Sequence, residues 1–104
     1  MVPKNTYTTV TATTTLSSSP TSWTTFLSNW TAPSNGYLNI YFNGSSNTPA
    51  FVINGSSGVE CRGNGNGGRD FTGFLPVHSG YTYSAQCIYC KPNWIRFIPA
   101  DTAL

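Results

Sequence analysis

At 104 residues the chain has the length of one domain, which buries roughly two-thirds of its unfolded surface. Only 8% of its residues are charged, against about 25% in an ordinary soluble domain, and the net charge of +2 comes from scattered basic residues, so no nucleic-acid footprint exists. No run approaches the roughly 20 apolar residues that span a bilayer, and Met1-Val2-Pro3-Lys4 opens no signal peptide, so neither membrane insertion nor secretion is expected.

Neutral polar residues carry the solubility: 15 Thr, 12 Ser, 10 Asn and 10 Gly. Threonine favours strands while Asn and Gly favour turns, and no stretch keeps a 3.6-residue apolar period. An all-β chain is predicted. Thr6 to Leu16 alternates, with Val10, Ala12 and Leu16 among hydroxyls, and reads as a first strand at a sheet edge. Ser17 to Pro20 breaks it, and Ser22 to Ser28 forms a second strand with Trp23, Thr25 and Leu27 opposite Thr24 and Phe26. Asn29 to Gly36 then connects to the run on which the chain is organised.

That run is Tyr37 to Phe42, bracketed by the turn signals Pro33-Ser34-Asn35-Gly36 and Asn43-Gly44. Leu38, Ile40 and Phe42 share a core face. Tyr37, Asn39 and Tyr41 share the other, too aromatic for a plain wet surface. After a loop over 44–49, Ala50 to Ile53 is apolar throughout, as suits a strand covered on both sides. Asn54-Gly55-Ser56-Ser57-Gly58 turns into a returning strand, Val59 to Arg62, with Val59 and Cys61 inward. Gly63 to Gly68 reads as an exposed loop, because glycine loses the most backbone entropy on ordering. Phe71 to Val77 resumes extended structure, His78-Ser79-Gly80 turns, and Tyr81 to Cys90 is a long strand. Lys91-Pro92-Asn93 turns once more, and Trp94 to Pro99 closes with Ile95 and Phe97 inward. About eight short strands with these spacings predict an antiparallel β-sandwich of jelly-roll type, one domain over residues 1–104.

Cys61, Cys87 and Cys90 are an odd number, which speaks against a fully paired disulfide framework. Within one strand, Cys87 and Cys90 would face opposite sides, and His78 is the only histidine, so neither a redox pair nor a metal site is expected.

The succession Trp30 to Tyr37 (WTAPSNGY), Phe51 to Gly55 (FVING), Leu75 to Thr82 (LPVHSGYT) and Arg96 to Ala100 (RFIPA) resembles C-terminal domains of bacteriophage and prophage tail fibres. The resemblance covers Trp30 to the end, and it rests on the order and spacing of turn motifs. It implies a small β-sandwich at the end of a longer fibre protein in the virion. Such a domain assembles as a homotrimer at the fibre tip and contacts the host surface. This chain departs at His78-Ser79, where a charged pair is more usual, and in its aromatic richness, which leaves the ligand open.

Site candidates follow from residue type. Arg62, Asn64, Asn66, Arg69 and Asp70 bear groups that hydrogen-bond sugar hydroxyls or carboxylates, and Trp94 offers a ring for stacking. Tyr37, Tyr41 and Trp23 are assigned to packing between subunits. Glu60 and Asp70 are the only carboxylates placed to work as a glycosidase pair, and solvated charges beside a hairpin explain them as well. The expected function is therefore non-enzymatic recognition of a bacterial surface glycan or protein, without cofactor. A structural trimerisation cap and a free carbohydrate-binding lectin are the alternatives.

Overall fold

The computed structural model describes residues 2–45 and 47–101; Ser46, in the expected 44–49 loop, lies outside the described residues. Among the described residues nine strands form: β1 (Val2–Pro3), β2 (Thr8–Thr9), β3 (Thr24–Thr31), β4 (Gly36–Gly44), β5 (Ala50–Gly55), β6 (Gly58–Asn64), β7 (Phe71–Val77), β8 (Thr82–Ile88) and β9 (Cys90–Asp101). No helix occurs among the described residues, so none is long and apolar enough to cross a membrane. All pairings are antiparallel. One sheet runs β1-β9-β4-β7, with β2 also on β9, and the other runs β3-β8-β5-β6.

The pairings nest. β5 pairs β6, β4 pairs β7, β3 pairs β8, and β1 pairs β9. A long hairpin rolled up on itself gives this order, and with β4–β9 and β5–β8 joining the turns of the roll it is the jelly roll that the turn spacing predicts.

Alternation fills the space between the sheets. Leu38, Ile40 and Phe42 of β4 face Ile53 of β5 and Ala85 and Cys87 of β8 in one buried cluster. Phe42 is its hub: its ring stacks on Phe51 at 4.9 Å and on Phe71 at 5.2 Å, and meets Phe26 edge-on at 5.8 Å. Each such pair adds about 0.5–1.5 kcal/mol beyond area burial. The rings also explain the glycines. A Cβ at Gly63 would stand 2.5 Å from the Phe51 ring, and one at Gly65 would collide with Phe71.

Several expectations from the sequence need correction. Thr6 to Leu16 is not one strand: only Thr8–Thr9 joins the ladder, although Val10, Ala12 and Leu16 do pack on the core. The segment spans the open side of the sandwich instead. The Val10 N–H donates to Ile95 O at 2.8 Å, and the Thr14 N–H donates to Phe26 O at 3.2 Å, so it touches both sheets. The second strand continues through Asn29-Trp30-Thr31, and register shifts in β3 let consecutive Phe26 and Leu27 both be buried. Asn29 sits at φ +54°, a conformation asparagine tolerates.

The hairpin turn falls on Ser56–Ser57, between the paired Gly55 and Gly58. A register shift after Ile53 turns Val59 outward, where it is exposed rather than inward. Gly63 and Asn64 belong to β6, so the glycine run is loop only from Gly65. Tyr81 to Cys90 does not form one strand. Tyr89, at φ +56°, turns the chain from β8 in one sheet to β9 in the other. Its N–H donates to Pro20 O and its carbonyl accepts from the Ser45 N–H, which fixes the corner. Lys91-Pro92-Asn93 is not a turn: β9 runs through it with Tyr41 opposite Trp94 and Phe42 opposite Pro92, leaving Asn93 as a bulge.

The Tyr89 corner also places Cys87 and Cys90 together in the core rather than on opposite faces. Both are free thiols, and the Cys87 thiol donates to Cys90 O at 3.1 Å. The side chain of the neighbouring Cys90 and then burial raise the Cys87 pKa, so it stays protonated. Burial likewise raises the pKa of Cys61. Among the described residues no group of three His, Cys, Asp or Glu side chains could hold a metal.

Candidate functional site

The two outer faces of the sandwich divide the residues singled out by the sequence. On the β1-β9-β4-β7 sheet, register sets Trp94, Tyr41 and Thr72 in one row and Arg96, Asn39 and Phe74 in the next. The Trp94 and Tyr41 rings meet edge-on at 5.5 Å. Arg96 lies 3.8 Å over the Trp94 ring and 4.0 Å over the Tyr7 ring, a cation held between two π faces. Beyond Tyr41, its hydroxyl donates to Asp70 at 2.7 Å and Asn43 donates to the same carboxylate at 3.1 Å. The Tyr41 hydrogen bond, then that of Asn43, lowers the Asp70 pKa; the same bond to Asp70 raises that of Tyr41.

These groups satisfy one another. The network pins the N-terminal segment through Tyr7 and the 65–70 loop through Asp70. Further hold on that loop comes from the Gly65 N–H, which donates to Pro49 O at 2.9 Å, and from a Gly68–Ser45 backbone bond. Asn66 accepts from the Arg69 N–H at 3.1 Å through its carbonyl, and both side chains stay exposed. Trp94 also borders a hollow of about 240 Å³ under Val10, Ala12 and Thr15. At the far end of the face Tyr37 stacks on Phe74 at 4.9 Å, and Phe74 is half exposed.

The opposite face is different. Alternation along β6 turns Arg62 and Asn64 outward, across from Val52 and Ala50 of β5. Val52 is in turn opposite Gln86, and Ala50 opposite Ile88, on β8. Trp23 precedes Thr24, whose partner is Cys87, and so falls in line with Ile88. The result is a hollow of about 180 Å³ with a floor of Ala50, Phe51 and Val52, an indole wall at Trp23, and a rim of Arg62 and Asn64. Trp23 is 47% exposed. Among the described residues the Arg62 guanidinium has no hydrogen-bond or ion-pair partner.

The nine-residue stretch Arg62 to Asp70 is therefore not one site. Arg62 and Asn64 join Trp23 on one sheet, while Asp70 joins Tyr41 and Trp94 on the other. Trp23 is likewise on a different surface from Tyr37 and Tyr41, so the three do not form one patch. Sequence reasoning missed Arg96 and Asn43, although both alternate onto the Tyr41 face with visible period 2; Tyr7 and the apolar floor gave no local signal. Glu60 folds over Gly55 at the hairpin end, and Asp70 is held by Tyr41 and Asn43. Comparison with protein-family models, with curated proteins and with solved structures gave no match.

Proposed function

We propose that this domain is a non-enzymatic recognition module of the phage or prophage tail-fibre tip, binding a bacterial surface glycan as a homotrimer. The observation that carries the reading is the hollow on the β6 face. An exposed indole stands beside a guanidinium and an amide over an apolar floor, and among the described residues no hydrogen-bond or ion-pair partner competes for the guanidinium. Recognition sites of this kind pair an apolar surface with a few polar groups that fix orientation. The ordered turn motifs add the phage context, and jelly rolls serve widely in viral coats and lectins. Fold alone does not assign function, so the reading rests on the hollow.

The trimer reading is supported by the stacked Tyr37–Phe74 pair, whose Phe74 is half exposed on the edge strand β7. A purely structural cap would use that pair and leave the hollow idle. A glycan array decides between them: binding by the parent that is lost in Trp23→Ala supports recognition, and an array blank for the parent ends it in favour of the cap.

A further inference from the structure

The chain contains three arginines, and the fold uses two of them differently on its two faces. Arg96 is consumed, its guanidinium lying over both the Tyr7 and the Trp94 rings. Arg62 stands opposite Val52, in the row that Gln86 completes, with no acid set against it. The chain has only three carboxylates to offer. Asp70 is taken by Tyr41 and Asn43 on the other sheet, and Glu60 packs over Gly55, while the Asp101 backbone belongs to β9 of that other sheet, beside Val2. An arginine left over an apolar floor keeps its planar fork of donors for what enters from outside.

We infer that the Trp23–Arg62–Asn64 hollow takes an acidic sugar, a pyranose bearing a carboxylate such as a hexuronate, within a surface polysaccharide; this rests on reading the hollow as a glycan site. The indole wall meets the C–H face of the ring, and the Ala50–Val52 floor excludes water from its underside. The Arg62 fork receives the carboxylate in two parallel hydrogen bonds, the geometry that an ammonium cannot reproduce. The Asn64 amide, next outward residue along β6, offers a donor and an acceptor to neighbouring hydroxyls. At about 180 Å³ the hollow is smaller than the about 300–1,000 Å³ of pockets that enclose a whole drug-sized ligand. It suits one ring of a chain that runs on across the sheet.

The test is a ¹H–¹⁵N titration of the intact domain with methyl glucuronoside, methyl glucoside and acetate, following the Trp23 indole and the Arg62 Nε–H. The uronoside binds about tenfold more tightly than the glucoside, because one face of the ring is shared and the charged pair is not. In Arg62→Gln the two sugars become equal, and Arg62→Lys recovers only part of the difference. Acetate alone moves Arg62 without moving Trp23. Equal binding of both sugars by the parent overturns the acidic assignment while leaving the glycan site standing. No response to either sugar overturns both. Well-dispersed spectra from the Arg62 variants show that the fold is intact in each comparison.

Discussion

Gly73 of β7 lies directly against the ring of Phe51 from the opposite sheet, so that a Cβ on Gly73 would stand 2.8 Å from two of its carbons. Gly63 approaches the same ring just as closely, and the ring also stacks on Phe42. Space this tight cannot take a methyl without moving a ring. Gly73→Ala therefore destabilises the domain by about 1–3 kcal/mol, measured by urea denaturation. Asn66→Ala, on the exposed loop, stays within about 0.5 kcal/mol of the parent. Equal stability of Gly73→Ala and parent would mean that Phe51 has room to retreat.

Arg96 ties the N-terminal segment to the sheet by lying between Tyr7 and Trp94. Contacts of this kind contribute about 0.5–1 kcal/mol each at exposed sites. Arg96→Ala should thus cost about 1–2 kcal/mol, with the loss concentrated in the first ten residues. Hydrogen exchange reads this directly: the Lys4 and Val10 amides, bonded to Pro99 and Ile95, lose protection before those of β4 do.

The Tyr41–Asp70 hydrogen bond needs a protonated phenol and an ionised carboxylate. Asp70 has a lowered pKa, so its contribution to stability is present above the ordinary carboxylate pKa and is lost as pH falls through the folded value. Tyr41 has a raised pKa, so its contribution is present below about pH 10 and disappears as pH rises through the folded value. Thermal melts of parent and Tyr41→Phe should accordingly differ in a window from about pH 4 to about pH 10 and converge outside it. Parallel profiles at all pH values would show that the bond does not form in solution.

Left-handed backbone at Asn29 makes that position selective. Asn29→Val puts a β-branched residue at φ +54° and should cost about 1–2 kcal/mol, whereas Asn29→Gly should leave stability nearly unchanged. Urea midpoints of the three proteins make the comparison; a neutral valine would place the β3 irregularity elsewhere.

Assembly is checked at Phe74, which is half exposed against Tyr37. Light scattering on the parent should give a trimer mass, and Phe74→Glu should lower it by burying a charge in the contact. A parent of monomer mass at micromolar concentration ends the trimer proposal.

Much of this fold was legible where alternation runs unbroken. Tyr37 to Phe42 and Phe71 to Val77 alternate as strands where the pattern puts them, although β4 also takes in Gly36, Asn43 and Gly44, which the pattern marks as turn residues. Alternation fails where the chain bulges. Phe26 and Leu27 are both buried although they are neighbours, and Asn93 interrupts β9 without ending it, because one extra residue reverses the face of everything after it. Tyr89 was opaque for another reason: a tyrosine carries no local sign of left-handed backbone, which the bonds to Pro20 and Ser45 impose from outside. The glycine-rich stretch was read as freedom, whereas Gly63 and Gly65 vacate space for Phe51 and Phe71. At the candidate site, Arg62 and Asn64 share a face by simple period 2. Trp23 joins them only because β8 and β5 intervene between β3 and β6, a matter of sheet order that no local pattern contains.

The nested pairing has a consequence for synthesis on the ribosome. Of all the pairings, β5 with β6 closes over the shortest stretch of chain, and each further pair waits for a later strand to emerge. Translation therefore releases β1, β2 and β3 first, yet leaves them without ladder partners until β8 and β9 clear the exit tunnel. During that interval the early segment is exposed as unpaired strand. Composition eases the wait for its first part: Thr6 to Leu16 is built from hydroxyls with few apolar groups, whereas β3 carries Phe26, Leu27 and Trp30 and stays the exposed apolar strand until β8 arrives.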